Sequence, residues 1–340
     1  MSDRDIAVHA FIQGAGWGDA TVGPLAGDAS NRRYLRLTRE GETAVVMDAP
    51  KEKGEDIRPF LHIAGYLSGI GLSAPAILAS DEAQGFILLE DLGDDLFARV
   101  IPKHPEMENS LYACATDLLA ELHRHAPPPD LAPYDAAIMA DMAALAFDWY
   151  LTAARGENTV ARAEFHGAIT AVLDTLTPMQ TVLIQRDYHS ENLLWLPDRR
   201  GVARVGLLDF QDAMLGHPAY DLVSLLQDAR RYVPPDIESQ MIARYVQNTQ
   251  QDHDAFTAAY HALGAQRNLR ILGVFARLCV RDGKAHYVDL IPRVWDLLQR
   301  DLTHPALQNL SALVHTHLPA PTNSLLKTLK DKCATIPSQS

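Results

Sequence analysis

The hydrophobic pattern of this 340-residue chain changes character near residue 100. Up to residue 93, short apolar runs rich in β-branched and aromatic side chains stand at 33–38, 43–47 and 86–90, and one segment at 55–70 has helical spacing. Such runs are typical of strands, and the short polar stretch between the first two predicts a hairpin. The first 93 residues are therefore predicted to form a strand-rich lobe with one helix.

From about residue 105 the apolar residues recur at helical spacing over long segments. Six such segments predict helices, at 106–125, 136–154, 160–176, 236–249, 254–280 and 288–302. Three apolar runs at 182–184, 193–196 and 205–208 are too short for helices and predict small strands lining a site. Residues 317–340 are expected to form a partly ordered tail. We therefore expect a two-lobed α+β fold, with a small, mostly antiparallel sheet lobe at 1–93 and a large helical lobe at 94–340.

Composition narrows the choice of partners. Thirty basic and 43 acidic residues give a formal net charge of −13, which argues against a nucleic-acid partner and favours small molecules. Three widely separated cysteines fit neither a disulfide framework nor a zinc site, and a reducing compartment is favoured. Neither a membrane span nor an apolar stretch of secretory length is present. We expect a cytoplasmic monomer without a membrane partner.

The densest polar run lies between two of the short apolar runs. It reads QRDYHSEN at 185–192, and LLDFQ follows at 207–211. Phosphoryl transfer requires one carboxylate to accept or orient the proton of the attacking hydroxyl, and an amide oxygen and a second carboxylate to hold magnesium. Asp187 is predicted to fill the first role, and Asn192 and Asp209 the second.

These motifs resemble the aminoglycoside phosphotransferase family of small-molecule kinases, which are relatives of the protein kinases. The family signature Asp-x-His-x-x-Asn, followed by a strand and Leu-Asp-Phe, is present at 187–192 and 208–210. Further matches are LAELH at 119–123 and GHPAYDL at 216–222. The resemblance implies a two-lobed, protein-kinase-like fold and an enzyme that uses ATP and Mg²⁺.

A narrower resemblance runs through almost the whole chain. The chain resembles the anomeric N-acetylmuramate/N-acetylglucosamine kinases of bacterial cell-wall recycling. The matching residues are 27–34, 45–50, 148–151, 220–229 and 272–278. It implies ATP-dependent phosphorylation of the anomeric hydroxyl of an amino sugar, which gives a sugar 1-phosphate. Two alternatives stay open, namely a kinase of another acceptor (an aminoglycoside, choline or homoserine) and a nucleotide-binding pseudokinase.

The resemblance also implies where the nucleotide binds. LLEDLG at 88–93 is similar to the family hinge, in which main-chain groups around Glu90 and Leu92 would hydrogen-bond the adenine edge. Residues 27–33 take the place of the phosphate-covering loop, which in the family lies between the first two strands. Ser30, Asn31 and Arg33 of this loop are therefore assigned to the cofactor.

One position departs from the family pattern. The family has a lysine on its third strand that grips the α- and β-phosphates, whereas this sequence has Met47 there. Arg33 is our first choice for the missing positive charge, because its planar fork can bind two phosphate oxygens. The other available cations are Arg32, Lys51 and Lys53. The alternative for each of the four residues, Arg33 included, is that it is a solvated surface charge and does not bind phosphate. Glu55 occupies the region of the family's helix glutamate.

The acceptor site is predicted from fewer signals. Asp187 and His189 are assigned to the substrate side of residues 185–192, the catalytic loop, where His189 would brace the loop rather than transfer protons. Trp149 and Tyr150 offer stacking faces for a sugar ring. Asp228 and Arg231 offer charged hydrogen bonds, and the arginine could meet the lactyl carboxylate of a muramic acid. The alternatives to these binding roles are that the aromatic residues pack in the core and that the arginine is solvated at the surface.

Overall fold

The computed structural model describes residues 2–25, 31–178 and 181–336. The strands are β1 Thr21–Leu25, β2 Arg33–Arg39, β3 Glu42–Asp48, β4 Ile77–Asp81, β5 Phe86–Glu90, β6 Val182–Ile184, β7 Leu193–Trp195, β8 Val205–Leu207 and β9 Met214–Gly216. The helices are α1 Asp3–Gly14, α2 Arg58–Gly69, α3 Phe97–Lys103, α4 Glu108–Leu122, α5 Ala136–Leu145, α6 Thr152–Arg155, α7 Thr159–Leu176, α8 Ala219–Leu226, α9 Pro235–Thr249, α10 His253–Val280, α11 Ile291–Asp301, α12 Gln308–His317 and α13 Asn323–Asp331. None of the helices in these described ranges is long and apolar enough to cross a membrane.

The chain forms two compact units. The first comprises Met1–Pro128 and Gln185–Ala213, and the second comprises Pro129–Ile184 and Met214–Ser340. The predicted lobe boundary after residue 93 is a different division of the chain, and it stays a prediction. The strand-rich start and the mostly helical remainder confirm the α+β prediction.

The first unit contains a five-stranded sheet in the order β1-β2-β3-β5-β4, in which all neighbours are antiparallel. The predicted hairpin is confirmed, since β2 pairs with β3 from Arg33 opposite Asp48 to Arg39 opposite Glu42. Glu40 and Gly41 form its turn, both with positive φ (43° and 86°). The sequence prediction missed β1, because its TVGPL sequence contains a glycine and a proline that are tolerated only at a sheet edge.

Helix α1 covers one face of this sheet, although the sequence pattern did not predict it. Its apolar residues are not gathered into one stripe, so the helix depends on the sheet it packs against. Ser2 caps its N-terminus in a reciprocal pairing with Asp5. The shared core consists of Val8, Ile12, Trp17, Leu37, Ala44, Val46, Phe86 and Leu88. Because side chains alternate along a strand, Val45 and Met47 of β3 point to the opposite face.

The second unit is built around the 28-residue helix α10, which packs against α5, α8 and α11. The short strands β6 and β9 pair antiparallel, with Val182 opposite Gly216. Helix α5 continues into α6 through one π-helical segment, Ala146–Leu151. The expected tail contains α13 within its described part, and Lys332 Nζ donates to Ala153 O at 2.6 Å. The end of the chain up to residue 336 is therefore more ordered than its Pro- and Ser-rich sequence predicts.

At Gly273, helix α10 lies close to the junction between α5 and the π-helical segment. A Cβ atom at Gly273 would lie 2.2 Å from the carbonyl carbon of Leu145, whereas a Cβ at the exposed Gly167 in α7 would meet nothing within 4 Å. Both glycines lie inside helices, where alanine has the higher intrinsic propensity. Alanine substitutions at these two glycines therefore separate the effect of packing on the free energy of unfolding from the effect of helix propensity.

We expect Gly273→Ala to lower the free energy of unfolding by about 1–3 kcal/mol or more, because overpacking against backbone cannot relax easily. Gly167→Ala should instead raise it by about 1 kcal/mol, the gain in helix propensity. Urea unfolding followed by circular dichroism measures both. A stabilised Gly273→Ala variant would show that α10 and α5 are not in this close contact.

Candidate active site

The pairing of β7 with β8 determines where the predicted catalytic residues lie. Asn192 directly precedes β7, and Asp209 follows β8 by two residues. Because Leu193 pairs with Leu207, both residues emerge at the same end of the two-stranded ladder. Leu208 N donates to Asn192 O at 3.0 Å and extends the ladder by one bond. Antiparallel pairing thus brings Asn192 and Asp209 next to each other, although they are 17 residues apart in the sequence.

Asn192 joins the three predicted residues. Its Nδ2 donates to the backbone oxygen of Asp187 at 2.9 Å and lies 3.4 Å from Asp209 Oδ2. Its backbone N–H donates to His189 O at 2.8 Å, so this residue also holds the middle of the loop. The structure therefore brings Asp187, His189, Asn192 and Asp209 together within the first unit, while their roles stay predictions.

Two residues of this site have left-handed backbone conformations. Arg186 has φ 71° and Asp209 has φ 57°, and neither is glycine. Such conformations cost on the order of 1–3 kcal/mol and persist where the surrounding structure imposes them, which happens often at active sites. The two turns thus support a functional interpretation of the segments that precede β7 and follow β8.

Helices α3 and α4 hold the catalytic loop from behind. The buried Tyr188 donates its hydroxyl to Ala115 O of α4 at 2.9 Å, and Ala98 N of α3 donates to Ser190 O at 3.0 Å. Tyr188 lies at a variable position of the family signature, so its anchoring role could not be predicted from the motif. These contacts keep the loop rigid without using the carboxylate of Asp187.

Gln211 is a site residue that the sequence analysis did not single out. Its Nε2 donates to Asp209 Oδ1 at 2.7 Å, so the two carboxylate oxygens of Asp209 face two different amides, those of Gln211 and Asn192. Between them in sequence, Phe210 is fully buried and packs on Phe60 of α2, with ring centroids 4.9 Å apart. The only sequence signal was the position of Gln211, two residues after the predicted metal ligand.

The donor chemistry of this cluster fits Mg²⁺. Magnesium prefers hard oxygen ligands and is bound by one or two protein groups together with phosphate oxygens. Asp209 provides a carboxylate, and the amide of Asn192 provides an oxygen if it rotates by half a turn toward that carboxylate. These two residues could therefore hold the cation.

The predicted hinge lies at the end of β5. Glu90 N donates to Ala76 O at 2.8 Å, and Glu90 Oε1 accepts from Arg199 Nη2. If Glu90 contacts adenine, we therefore expect its backbone carbonyl to make the contact. The Leu92 side chain lies beside Gly206 of β8, where a Cβ atom would come within 3.2 Å of Leu92 Cδ1. The Leu92 side chain thus packs against the strand that leads to Asp209.

The residues assigned to the phosphate-covering loop have different environments. Ser30 lies outside the described residues. Asn31 N lies 3.2 Å from Glu55 Oε1, and its Nδ2 donates to Lys53 O at 3.2 Å, so the end of this loop is bound to the segment before α2. Arg33 is paired with Asp48 and with Asp5 of α1, at 2.9 and 2.7 Å.

This pairing places Arg33 on the α1 face of the sheet. Met47 lies on the other face, so the structure does not bring Arg33 to the position of the missing lysine. The reason is the parity of strand β2, since neighbouring residues of a strand point to opposite faces. Sequence position at the end of the covering loop could not reveal this.

Three residues assigned to the acceptor lie in the second unit. Trp149 is partly exposed and belongs to the π-helical segment, a helix type that often marks functional sites. Asp228 and Arg231 lie in the loop between α8 and α9, where Asp228 Oδ1 accepts from Arg230 N at 2.8 Å. The buried Tyr150 donates its hydroxyl to Pro319 O at 2.8 Å, so it is a core residue and the stacking role proposed for it is wrong.

A buried polar network fixes the start of this loop. Gln227 Nε2 donates to Asp301 Oδ1 at 2.8 Å, and Asn268 Nδ2 donates to Gln227 Oε1 at 2.8 Å. Burial raises the pKa of the Asp301 carboxyl above its ordinary value. At the other end of α8, burial lowers the pKa of His217 to about 4, and its neutral Nδ1 accepts from Ala219 N at 3.1 Å. The segment from His217 to Asp228 is thus held at both ends.

Asp209→Ala should abolish Mg²⁺-dependent nucleotide binding, because it removes the only carboxylate of the proposed cation site. Gln211→Ala should weaken it by about tenfold, since a hydrogen bond to a charged group contributes about 1.5 kcal/mol or more. The matched control is Asp198→Ala, an exposed aspartate in the turn between β7 and β8. Calorimetric titration of ADP with and without Mg²⁺ measures all three. Unchanged Mg²⁺-dependent binding of ADP in Asp209→Ala would show that the cation binds at another site.

Comparison with known proteins agrees with this geometry. The sequence pattern of the phosphotransferase enzyme family matches residues 21–262. The N-acetylmuramate/N-acetylglucosamine kinase of Caulobacter vibrioides is 40% identical to the chain, over 94% of this chain and 98% of the relative. The protein of the same name from Pseudomonas aeruginosa is 34% identical, over 88% and 90% of the two chains.

Solved structures share the fold at much lower identity. Choline kinase LicA from Streptococcus pneumoniae superposes with a TM-score of 0.60 at 13% identity, covering 88% of this chain and all of the other. ADP-bound aminoglycoside phosphotransferase APH(2'')-Ib gives 0.59 at 15% identity, covering 88% and 97% of the two chains. The kinase-like α+β fold is therefore confirmed. By its sequence pattern, and by its similarity to relatives over nearly its whole length, the chain belongs to the phosphotransferase enzyme family.

Proposed function

We propose that the protein is an ATP-dependent kinase that phosphorylates the anomeric hydroxyl of N-acetylmuramate, N-acetylglucosamine or both. The observation that carries this proposal is the cluster of Asp187, Asn192 and Asp209, in a chain that matches relatives named N-acetylmuramate/N-acetylglucosamine kinase over nearly its full length. The cluster supports the reaction type, and the relatives' names support the sugar.

In the proposed reaction the Asp187 carboxylate accepts or orients the proton of the anomeric hydroxyl. The sugar oxygen then forms a bond to the γ-phosphorus while the bond to the β–γ bridging oxygen breaks, which gives the sugar 1-phosphate, ADP and a proton. Asn192 and Asp209 would hold Mg²⁺, which when bound neutralises charge on the phosphate oxygens. Gln211 keeps the Asp209 carboxylate oriented through its 2.7 Å hydrogen bond.

The nucleotide and the acceptor are assigned to different residues. Glu90, Leu92 and Asn31 are proposed for the nucleotide, in keeping with the ADP bound to a protein of the same fold. Trp149, Asp228, Arg231 and His189 are proposed for the acceptor. Arg231 could pair with the lactyl carboxylate of N-acetylmuramate, and the uncharged N-acetylglucosamine would lack this contact. A cytoplasmic monomer stays our expectation.

Asp187→Asn should lower turnover by about 10²–10⁴, the usual contribution of general acid–base catalysis, because an amide cannot accept the proton. The affinity for nucleotide should change little, since Asp187 contacts Asn192 through its backbone oxygen, which the substitution keeps. Steady-state kinetics together with ADP titration separate the two effects. Wild-type turnover in this variant would reject Asp187 as the catalytic carboxylate.

The acceptor position can be tested with a blocked sugar. The methyl glycoside of N-acetylglucosamine has no anomeric hydroxyl and keeps the others, so we expect no phosphorylation of it. The expected product of the free sugar is a glycosyl phosphate, which should hydrolyse in mild acid more readily than a phosphate on the primary hydroxyl. Phosphorylation of the methyl glycoside would place the reaction at another hydroxyl.

A further inference from the structure

The two faces of the five-stranded sheet carry different arginines. In the β2–β3 register, Tyr34 pairs with Met47 and Leu35 pairs with Val46. Val46 belongs to the core under α1, so Leu35 and its alternate neighbour Arg33 share the α1 face. Tyr34 and Met47 lie on the opposite face. A cation from this strand that acts beside Met47 must therefore come from its even-numbered positions or from the chain just before it.

Arg32 meets this requirement. It immediately precedes β2, and continuing the alternation of that strand by one residue puts it with Tyr34 on the Met47 face. Its Nε donates to Glu55 Oε2 at 2.8 Å, and the side chains of the pair are only 12% and 14% exposed. Glu55 also accepts from Asn31 N at 3.2 Å. One carboxylate thus fixes both the arginine and the end of the covering loop.

The segment that contains Glu55 is connected to the proposed metal site. It leads directly into α2, whose Phe60 packs on Phe210, the residue next to Asp209. Arg32 is therefore held by the segment that leads into the helix packed on Phe210, whereas Arg33 is held by α1 on the far side of the sheet. Both connections lie entirely within the first unit.

Charge distinguishes Arg32 from the other cations near Met47. Arg36 lies on the same face, but its guanidinium is bound to two carboxylates, Asp91 and Asp94, so that group is net negative. In the described part of the chain Arg32 forms an ion pair with one carboxylate, that of Glu55, and this pair has no net charge that would repel a phosphate oxygen. Lys51 and Lys53 are exposed in a short turn, and no carboxylate among the described residues forms an ion pair with either of them.

We propose that Arg32, oriented by Glu55, binds the phosphate oxygens of the nucleoside triphosphate on the sheet face where Met47 stands. A guanidinium has five N–H donors, so one edge can bind a carboxylate while another binds phosphate. The arginine before β2 thus supplies the charge that the third strand lacks. This inference rests on the nucleotide use in the proposed function and does not depend on the identity of the acceptor.

The test compares Mg·ADP affinity and the KM for ATP across single variants. Arg32→Ala should weaken Mg·ADP binding by about ten- to a hundredfold, the effect of losing a charge-assisted contact. Arg32→Lys should recover part of the loss, and Glu55→Gln should show an intermediate loss because the arginine loses its anchor. Arg39→Ala is the matched control, because it removes an arginine of the same strand on the α1 face and should bind as wild type.

A rescue experiment makes the test independent of folding defects. In Arg32→Ala/Met47→Lys, a lysine on the same face should restore part of the affinity, whereas Arg32→Ala/Met47→Leu should restore none. Wild-type affinity in both Arg32→Ala and Arg32→Gln would overturn the proposal, as would a loss in Arg33→Ala with none in Arg32→Ala. If the wild type binds Mg·ADP through Arg32 but phosphorylates no amino sugar, the proposed acceptor fails and the role of Arg32 stands. If the wild type binds no nucleotide, both fail.

Discussion

The antiparallel pairing of β7 with β8 is the constraint on which the candidate active site depends. It brings Asn192 and Asp209 to one end of a ladder only three residues long, and the Asn192 side chain then reaches both Asp209 and the backbone of Asp187. In another register, the amide of Asn192 and the carboxylates of Asp187 and Asp209 would not lie close to one another. The ladder is short, so its stability comes from its surroundings. Ser73 O accepts from Leu207 N, and Tyr188 is bound to α4.

The same unit uses strand parity to separate two kinds of arginine. Arg33 and Arg4 form ion pairs with Asp48 and help to hold α1 on its side of the sheet. Arg32 is one residue away from Arg33, yet it lies with Glu55 and Tyr34 on the other side. A strand can thus place a structural cation and a ligand-binding cation next to each other in sequence. The loss of lysine at position 47 is compatible with nucleotide binding on this basis.

Much of this arrangement was predictable from local patterns. The runs at 182–184, 193–196 and 205–208 are apolar, short and bounded by polar residues, and each contains an observed strand. Their alternation with the polar residues at 187, 192 and 209 was enough to predict that those side chains meet. Helix α10 was predicted within one residue at its start, because its apolar spacing is regular over many turns.

The features that escaped prediction depend on contacts between distant segments. Helix α1 exists because a sheet face needs covering, and its own residues do not show a single apolar stripe. The face on which Arg33 lies depends on the β2–β3 register and on α1, neither of which the sequence around residue 33 encodes. Gln211 orients Asp209 only because the chain turns sharply at a left-handed aspartate. Tyr150 looked like a binding residue and is core, because Pro319 lies against it.

The most direct test of the account uses sugars labelled with carbon-13 at C1. N-acetylmuramate and N-acetylglucosamine labelled in this way are incubated with the protein, ATP and Mg²⁺, and the products are followed by carbon and phosphorus NMR. The account predicts that the C1 signal of at least one sugar becomes split by coupling to phosphorus, with ADP formed in equal amount. An unsplit C1 signal alongside a new phosphate ester, or no ester with either sugar, would contradict it.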